Sequence, residues 1–251
     1  MLSVVIITKN EAHNIRRCLQ SVAWADEVIV LDSGSKDNTV SIAREFTDKV
    51  YTTKPQEWQG YGVQKQRALA KASGDWVLNL DADESVDSEL KSAIISAMKS
   101  NDFDAYRIPI RLHFYHKTMR YSSSPTRHIR LFRREGAQYS HDIVHEKIML
   151  PQQSRVGRIH ASILHHSFRD ISHALLKINR YSSYSAKIRL EEKKQAGICM
   201  TMMASCWMFL RCYLLQGGFL DGKEGLVLAC LNAQGTFYRG VKQLYPDEGA
   251  E

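Results

Sequence analysis

Proline and cysteine are scarce in this chain, and their placement excludes several classes of protein. Of 251 residues, five are proline and five are cysteine, and no proline occurs between residues 171 and 245. The cysteines form neither a C-x-x-C pair nor a zinc-type Cys/His spacing. This predicts reduced, buried thiols in a cytosolic protein. A composition of 44% hydrophobic and 24% charged residues excludes a disordered or collagen-like chain and a disulfide miniprotein.

Phosphate-binding loops are absent as well. Neither G-x-G-x-x-G nor G-x-x-x-x-G-K-[ST] occurs, which disfavours dinucleotide oxidoreductases and P-loop ATPases. The apolar run Leu2–Ile7 has no basic leader and is too short for a signal peptide, so we expect it to be a strand of a cytoplasmic protein. Neither an internal repeat nor a Pro/Ser-rich linker interrupts the chain.

Positive charge is in excess, and one long segment lacks acidic residues. Lysine and arginine number 34 against 27 acidic residues, which gives a net charge of +7. That excess suits a polyanionic partner such as nucleic acid, a phosphorylated sugar or acidic lipid headgroups. Residues 105–134 contain eight basic residues and no acidic one. This segment is either an acceptor site, with Arg127 and Arg130 binding phosphates, or a solvated edge of an antiparallel sheet.

Strand and helix patterns alternate through the first hundred residues. Buried strands are predicted at Leu2–Ile7, Glu27–Leu31 and Trp76–Leu80, with helices between them, which favours a mainly parallel, Rossmann-like sheet flanked by helices. Alternation at 106–113 and 129–132 predicts antiparallel strands. From residue 171 onward the pattern is helical. We therefore predict an α/β domain over residues 1–170 and a helical C-terminal extension over residues 171–251.

Acidic residues follow three of the predicted strands. Asp81-Ala82-Asp83 ends a buried strand, and two such carboxylates suit Mg²⁺ or Mn²⁺ bound to a diphosphate. The alternative is that Asp83-Glu84-Ser85 caps the next helix. Asp32-Ser33-Gly34 follows another strand and can hydrogen-bond a ribose or base, although an Asx turn explains the nearby Asp37 as well. Thr8, Asn10 and Glu11 follow the first strand and can likewise be helix caps.

The motifs in order resemble glycosyltransferase family 2. The segments that carry the resemblance are Val4–Glu11, Asp32–Thr39, Gln64–Leu69 and Trp76–Glu84. Later motifs at residues 144–146, 165–168, 179–182 and 219–225 are similar to those of bacterial lipopolysaccharide core glucosyltransferases. The resemblance covers nearly the whole chain. It implies a GT-A fold, a nucleotide-sugar donor and inversion of the anomeric carbon, with residues 1–100 as the nucleotide-sugar half and 101–170 as the acceptor half.

The resemblance also implies roles for individual residues. Those expected to bind the nucleotide sugar are Thr8, Asn10, Glu11, Asp32, Ser33, Gly34, Gln64, Lys65, Asp81 and Ala82. Asp83 is expected to hold the metal, completed by His165 or His166, although a late histidine is as often structural. Arg67 departs from the asparagine that many relatives have after Gln-Lys, which leaves its contact open.

The general base is expected after the D-x-D motif. Glu146 is preferred over Glu135 and Asp142, with His145 orienting it, and a salt bridge to a nearby arginine is the alternative for Glu146.

These inferences lead to one main hypothesis and several alternatives. The main hypothesis is a metal-dependent inverting transferase that moves glucose from UDP-glucose to the inner-core heptose of lipopolysaccharide. The alternatives are a glycosyltransferase of another envelope polysaccharide, a nucleotidyltransferase, and a basic nucleic-acid-binding protein, which would leave the acidic strand ends unexplained.

The most apolar segment, Ile198–Leu215, has Arg211 as its only charge. It is predicted to be a buried or dimer-forming helix, an interfacial helix or, least favoured, a membrane span. Because the acceptor is lipid-embedded, we expect a peripheral enzyme on the cytoplasmic face of the inner membrane.

Overall fold

A computed structural model describes residues 1–100, 102–122, 126–140, 147–194 and 196–246. The chain forms two compact units, each built from two segments. The first unit consists of Met1–Ile110 and Pro125–His166, and the second of Arg111–Ser124 and Ser167–Glu251. The boundary at Ser167 lies close to the one predicted at residue 170, while residues 111–124 belong to the second unit.

Strands dominate the first unit. In chain order they are β1 (Leu2–Thr8), β2 (Glu27–Asp32), β3 (Val50–Thr52), β4 (Trp76–Asp81), β5 (Glu84–Ser85), β6 (Ala105–Phe114), β7 (Lys117–Thr118), β8 (Thr126–Arg133), β9 (Gln138–Tyr139), β10 (Ile148–Met149), β11 (Val156–Arg158) and β12 (Ile163–His165). The helices of both units are α1 (Ile15–Ser21), α2 (Thr39–Arg44), α3 (Tyr61–Leu69), α4 (Ser88–Ser100), α5 (Ile171–Glu191), α6 (Ile198–Leu210) and α7 (Gly222–Leu244).

The main sheet has the order β3-β2-β1-β4-β8-β6-β12-β5. Strands β3, β2, β1 and β4 run parallel, and β8 pairs antiparallel with both β4 and β6. The sheet is thus parallel on the side formed by the first hundred residues and mixed on the other. Both predictions, a parallel half and antiparallel strands near 106–113 and 129–132, are confirmed.

The core of the first unit lies on both faces of this sheet. All seven residues of β1 are buried, and alternate side chains enter opposite clusters. Val4 and Ile6 pack with α1 and α4 on one face, and Val5 and Ile7 pack with α3 on the other. Burial of each such side chain contributes about 1.5–3 kcal/mol. A continuous β-branched run is therefore needed here, because neither face of β1 meets water.

Helix α7 is the common packing partner in the second unit. It contacts both α5 and α6, and Leu228 and Leu231 join Phe114, Met119 and Ala174 in a small apolar cluster. The five-residue segment Arg211–Leu215, which follows α6, is a π-helix. The unit is held by helix–helix contacts and has a smaller core than the sheet.

Two expectations about the C-terminal region were wrong. Ile198–Leu215 is long and apolar enough to cross a membrane, but only 11% of its residues are buried, so it is not a buried core helix. The thiols were expected to be buried, yet Cys199, Cys206 and Cys230 are exposed, whereas Cys18 and Cys212 are buried. Both errors have one cause: the apolar side chains of this region face outward.

Candidate active site

The carboxyl ends of three neighbouring strands meet at one edge of the sheet. Thr8 at the end of β1 is paired with Asp32 at the end of β2, and Ile7 is paired with Asp81 at the end of β4. Parallel strands end on the same side, so the polar loops that follow them converge. This is the edge at which open α/β sheets bind ligands. The acidic strand ends identified in the sequence therefore lie side by side.

Asn10 joins the loops that follow β1 and β2. Its backbone N–H donates to Ser35 Oγ at 2.7 Å, and its Oδ1 accepts from the Lys36 N–H at 2.8 Å. Asn10 has a φ of 56°, in the left-handed region that asparagine tolerates better than most residues. The Glu11 N–H adds a link by donating to Thr39 Oγ1 at 2.8 Å. The two loops form one hydrogen-bonded unit.

The carboxylate of Asp32 organises its own loop. Its Oδ2 accepts from the N–H groups of Gly34 and Ser35, both at 2.9 Å, and its Oδ1 accepts from the Ser35 hydroxyl. Gly34 has a φ of 81°, which lets the backbone turn back toward the carboxylate. Asp37 forms a similar turn, since the Thr39 N–H donates to its Oδ1 at 3.1 Å. The Asx-turn interpretation therefore holds for Asp32 as well as Asp37.

Helix α3 brings an amide and a cation to the strand ends. Gln64 Nε2 donates to Thr53 Oγ1 at 3.1 Å, and the Thr53 N–H donates to the Asp32 carbonyl oxygen at 2.8 Å. Lys65 Nζ lies 3.2 Å from Asp81 Oδ1. Both Gln64 and Lys65 are buried, although they are polar. Their side chains are therefore fixed by packing as well as by hydrogen bonds.

Arg130 on β8 ties together two carboxylates. Its NH2 lies 3.0 Å from Asp81 Oδ2 and 2.7 Å from Glu84 Oε1. Burial would raise the pKa of Asp81, but the charges of Arg130 and Lys65 hold it well below its usual range. Burial raises the pKa of Glu84; Arg130 offsets part of that rise and the Asp81 charge adds to it. Two cations and two acids thus form a compensated cluster beneath the site.

Asp83 faces a histidine rather than a helix terminus. Its Oδ2 lies 2.9 Å from Nε2 of His165, which β12 holds opposite Glu84 in antiparallel register. Helix α4 has its own cap, because the Leu90 N–H donates to Asp87 Oδ1 at 2.8 Å. The helix-capping alternative for Asp83 is therefore wrong. The imidazole and carboxylate that were expected to share a metal lie together.

Four buried polar side-chain atoms have no hydrogen-bond partner within the part of the chain that the structure describes. They are Thr8 Oγ1, Gln64 Oε1, Asn79 Oδ1 and Arg130 Nε. Each such atom costs about 1–3 kcal/mol when buried unsatisfied. Their residues belong to β1, α3, β4 and β8, the elements that carry the strand-end network. A polar ligand at this edge would satisfy them.

The other predicted residues divide between the site, the surface and the undescribed part of the chain. Ser33 and Ala82 are buried beside the strand ends, and the Ser33 N–H donates to the Thr8 carbonyl oxygen at 2.9 Å. Arg127 is exposed. Glu146 and His145, like Asp142, lie outside the described residues.

Sequence reasoning missed the network roles of Glu84 and Asn79. Glu84 was considered only as part of a helix cap, yet it is buried and bound to Arg130. Its position directly after the D-x-D motif and before Val86 is the signal that could have found it, because Val86 returns the chain to the core. Asn79 interrupts an otherwise apolar buried strand, and that interruption is a signal of the same kind.

Comparison with known proteins identifies the family. The profile described as glycosyl transferase family 2 matches residues 3–150, more than half of the chain. The chain belongs to glycosyl transferase family 2. Its fold class, GT-A with a mainly parallel, helix-flanked sheet and a helical C-terminal region, is as the resemblance implied.

Similar family 2 proteins match over nearly the whole chain. An uncharacterized glycosyltransferase of Rickettsia bellii is 31% identical over 96% of this chain and 85% of its own length. The lipopolysaccharide core biosynthesis glycosyltransferase LpsC of Rhizobium meliloti is 28% identical over 98% of this chain and 95% of its own. Among solved structures, residues 1–349 of TarS from S. aureus are 18% identical, covering 99% of this chain and 92% of that one with a TM-score of 0.49.

The donor set of this family 2 site suits a divalent cation that is completed by substrate. No group of three or more His, Cys, Asp or Glu residues that could hold a metal occurs among the described residues. Asp83 Oδ2 and His165 Nε2 are 2.9 Å apart. Neighbouring ligands of an octahedral ion with bonds of about 2.1 Å lie about 3 Å from each other. The pair therefore fits a Mg²⁺ or Mn²⁺ ion whose remaining ligands are phosphate oxygens and water.

Proposed function

We propose that the protein is a metal-dependent inverting glycosyltransferase that moves glucose from UDP-glucose to the inner-core heptose of lipopolysaccharide. The observation that carries the donor half of this proposal is the set of buried, unpartnered polar atoms at the strand ends, including Thr8 Oγ1 and Gln64 Oε1. Similarity to a lipopolysaccharide core biosynthesis glycosyltransferase supports the acceptor half.

The nucleotide binds along the converging loops. Its proposed contacts are Thr8, Asn10, Glu11, Asp32, Ser33, Gly34, Gln64, Lys65, Asp81 and Ala82. Asn10 and Asp32 hold the two loops in one arrangement before the donor arrives. That preorganisation lowers the entropic cost of binding, because the loops need not be ordered by the ligand. Lys65 and Arg130 keep Asp81 ionised, so it can accept hydrogen bonds from ribose hydroxyls.

Asp83 and His165 are proposed to hold the cation. When bound, a divalent ion neutralises negative charge on the departing diphosphate. Glu84 and Asp81 are already paired with Arg130, which supports Asp83 as the carboxylate left for the metal.

Glu146 is proposed as the general base, with His145 orienting it. The base removes the proton of the acceptor hydroxyl as that oxygen attacks the anomeric carbon. The bond from this carbon to the diphosphate oxygen breaks on the opposite face, its electron pair leaves with the nucleotide, and the configuration inverts. Arg127 is proposed to bind an acceptor phosphate, and Arg130 acts there only through the acids it orients. The reaction takes place on the cytoplasmic face of the inner membrane, where a lipid-linked acceptor is accessible.

Calorimetric titration with UDP and Mn²⁺ tests the metal site. We expect Asp83→Ala to weaken Mn²⁺-dependent UDP binding at least about 100-fold. Asp87→Ala is the matched control, since it removes a nearby carboxylate that caps α4 and costs about 1 kcal/mol of stability without changing UDP affinity. Equal affinity for wild type and Asp83→Ala would reject the assignment.

Donor and acceptor panels test the reaction. UDP-glucose should be hydrolysed faster than other UDP-, GDP- or ADP-sugars, and heptose-terminated core lipid should accept the sugar. Glu146→Gln should lower turnover at least about 10²-fold at unchanged donor affinity. Transfer to a different envelope glycan would reject the acceptor, and stabilisation by an oligonucleotide but not by UDP with Mn²⁺ would reject the reaction class.

A further inference from the structure

Helix α6 presents large apolar side chains to the surroundings. Its outward face is defined by six exposed residues, of which Leu214 lies in the π-helical segment: Met200, Met202, Met203, Trp207, Leu210 and Leu214. Met203 is 72% exposed and Trp207 is 57% exposed. Monomeric proteins in water rarely expose a contiguous apolar patch of this kind unless it binds something.

The opposite face of α6 is made of small side chains. Thr201 is buried against α7, where a Cβ added to Gly240 would lie 2.3 Å from Thr201 Oγ1. Ser205 Oγ donates to the Ala233 carbonyl oxygen at 2.8 Å. A helix on a soluble core turns its large apolar residues inward. Small residues between helices and large apolar ones outside are typical of helices in contact with lipid.

Unpaired positive charge accompanies this face. Residues 171–246 contain ten lysines and arginines and four acidic residues. Only Lys194 and Lys223 have a carboxylate within 4.0 Å among the residues described in this range. Of the eight others, five are exposed: Arg180, Lys187, Arg189, Lys193 and Arg211. Exposed cations next to apolar side chains match the phosphates and acyl chains of an anionic membrane.

We propose that the outward face of α6 docks on the surface of a bilayer that contains anionic phospholipid. The apolar side chains enter the boundary between headgroups and acyl chains, and Trp207 lies at the depth that tryptophan favours. A second copy of the chain is a poorer occupant, because it would bring an equally positive surface. The eighteen residues Ile198–Leu215 extend about 27 Å, less than the hydrocarbon thickness of about 30 Å, and include Arg211, which favours surface attachment over a span.

Vesicle sedimentation of the full chain tests this proposal without donor or acceptor, so its outcome is independent of the proposed reaction. The protein should bind vesicles of phosphatidylglycerol and phosphatidylethanolamine, and bind pure phosphatidylcholine more weakly. Met203→Glu and Trp207→Glu should each lower partitioning about tenfold or more, because each removes a buried apolar contact. Both positions are exposed, so the variants should keep the wild-type circular dichroism and UDP affinity.

Leu176→Glu on α5 is the matched control, since Leu176 is 67% exposed, comparable to Met203. It should bind vesicles within about twofold of wild type, and an equal loss would overturn a docking face on α6. A fluorophore on Cys206, with Cys199 and Cys230 replaced by serine, should shift to the blue on vesicle binding. Failure to bind any vesicle, or a lipid-free dimer that Met203→Glu dissociates, would also overturn the proposal. So would release from cell membranes only by strong detergent.

Discussion

The two compact units use apolar side chains in opposite ways. In the first unit every residue of β1 is buried, and its side chains pack on both faces of the sheet. In the second unit α6 buries Thr201 and exposes Met203 and Trp207. Both segments are continuous apolar runs in the sequence. The comparison teaches that such a run reports an apolar environment without stating whether the protein supplies it.

Charged groups show the same contrast. The first unit buries Arg130 and Glu84 as part of a compensated cluster, whereas the second leaves most of its cations exposed and unpaired in the described part of the chain. The first unit should therefore be sensitive to the loss of one buried charge. The second should be sensitive to the fit between its helices and to the surroundings of α6.

The largest effect is expected from Arg130→Met, which would break the buried cluster. It leaves Asp81 and Glu84 without their shared cation, and removal of one partner from a buried pair costs about 3–5 kcal/mol. The exposed Arg127→Met should change stability by less than about 0.5 kcal/mol. Urea unfolding of both variants checks this, and equal stabilities would mean that the cluster does not hold the first unit together.

Acid should weaken the first unit through Glu27. Burial alone would raise its pKa, but hydrogen bonds from Lys49, Ser3 and Ser73 lower the pKa to about 2. Since the folded-state pKa lies below the unfolded value, the stabilisation of up to about 3 kcal/mol is full above pH about 5 and is lost as the pH falls toward 2. Unfolding free energies measured across this range should lose that component in Glu27→Gln. The exposed pair variant Glu45→Gln should keep it.

A smaller effect is expected where α6 meets α7. Gly240→Ala puts a methyl group 2.3 Å from Thr201 Oγ1, and we expect a net loss of about 1–2 kcal/mol from the second unit. Gly235→Ala meets only Ile178 Cγ2 at 3.3 Å and should be neutral or stabilising by up to about 1 kcal/mol. Thermal unfolding distinguishes the two variants. Unchanged UDP binding in both would show that the first unit is unaffected.

The smallest stability change is expected from Thr8→Val. The Thr8 hydroxyl is buried without a described partner, so its removal should leave stability unchanged or raise it by up to about 1 kcal/mol while lowering UDP affinity. Thr39→Val should instead lose stability, because Thr39 Oγ1 accepts from the Glu11 N–H. Chemical unfolding and calorimetry on both variants check the pair. A marked loss of stability in Thr8→Val would show that the hydroxyl is not reserved for a ligand.

Much of the first unit could be predicted from the sequence. Strands β1, β2 and β4 were predicted from β-branched and apolar runs, and strand direction then brought Thr8, Asp32 and Asp81 to one edge. Helix starts were less accurate: α3 begins at Tyr61, earlier than the predicted Gln64, because Gly60 has a φ of 104° that allows a turn there. Local pattern reports burial and period well and termini poorly.

Contacts between distant residues could not be predicted in the same way. Asp83 and His165 are 82 positions apart, and only the pairing of β5 with β12 brings them together. Arg130 was expected to meet an acceptor, yet it lies inside and binds Asp81 and Glu84. Its sequence neighbours gave no sign of this, since burial of an arginine depends on acids supplied by another strand.

The π-helical segment Arg211–Leu215 sets the rotational phase of α6. A π-turn contains one residue more than an α-turn, so this segment advances the chain by one position relative to the Gly217-Gly218 turn that follows it. Deleting a single residue there would restore the α-helical repeat and rotate α6 by about 100° around its axis. Trp207 and Met203 would then leave their present direction, although no residue of α6 itself had changed. The aim of this face therefore depends on a one-residue insertion outside α6, and length variation at that point would redirect it without altering its composition.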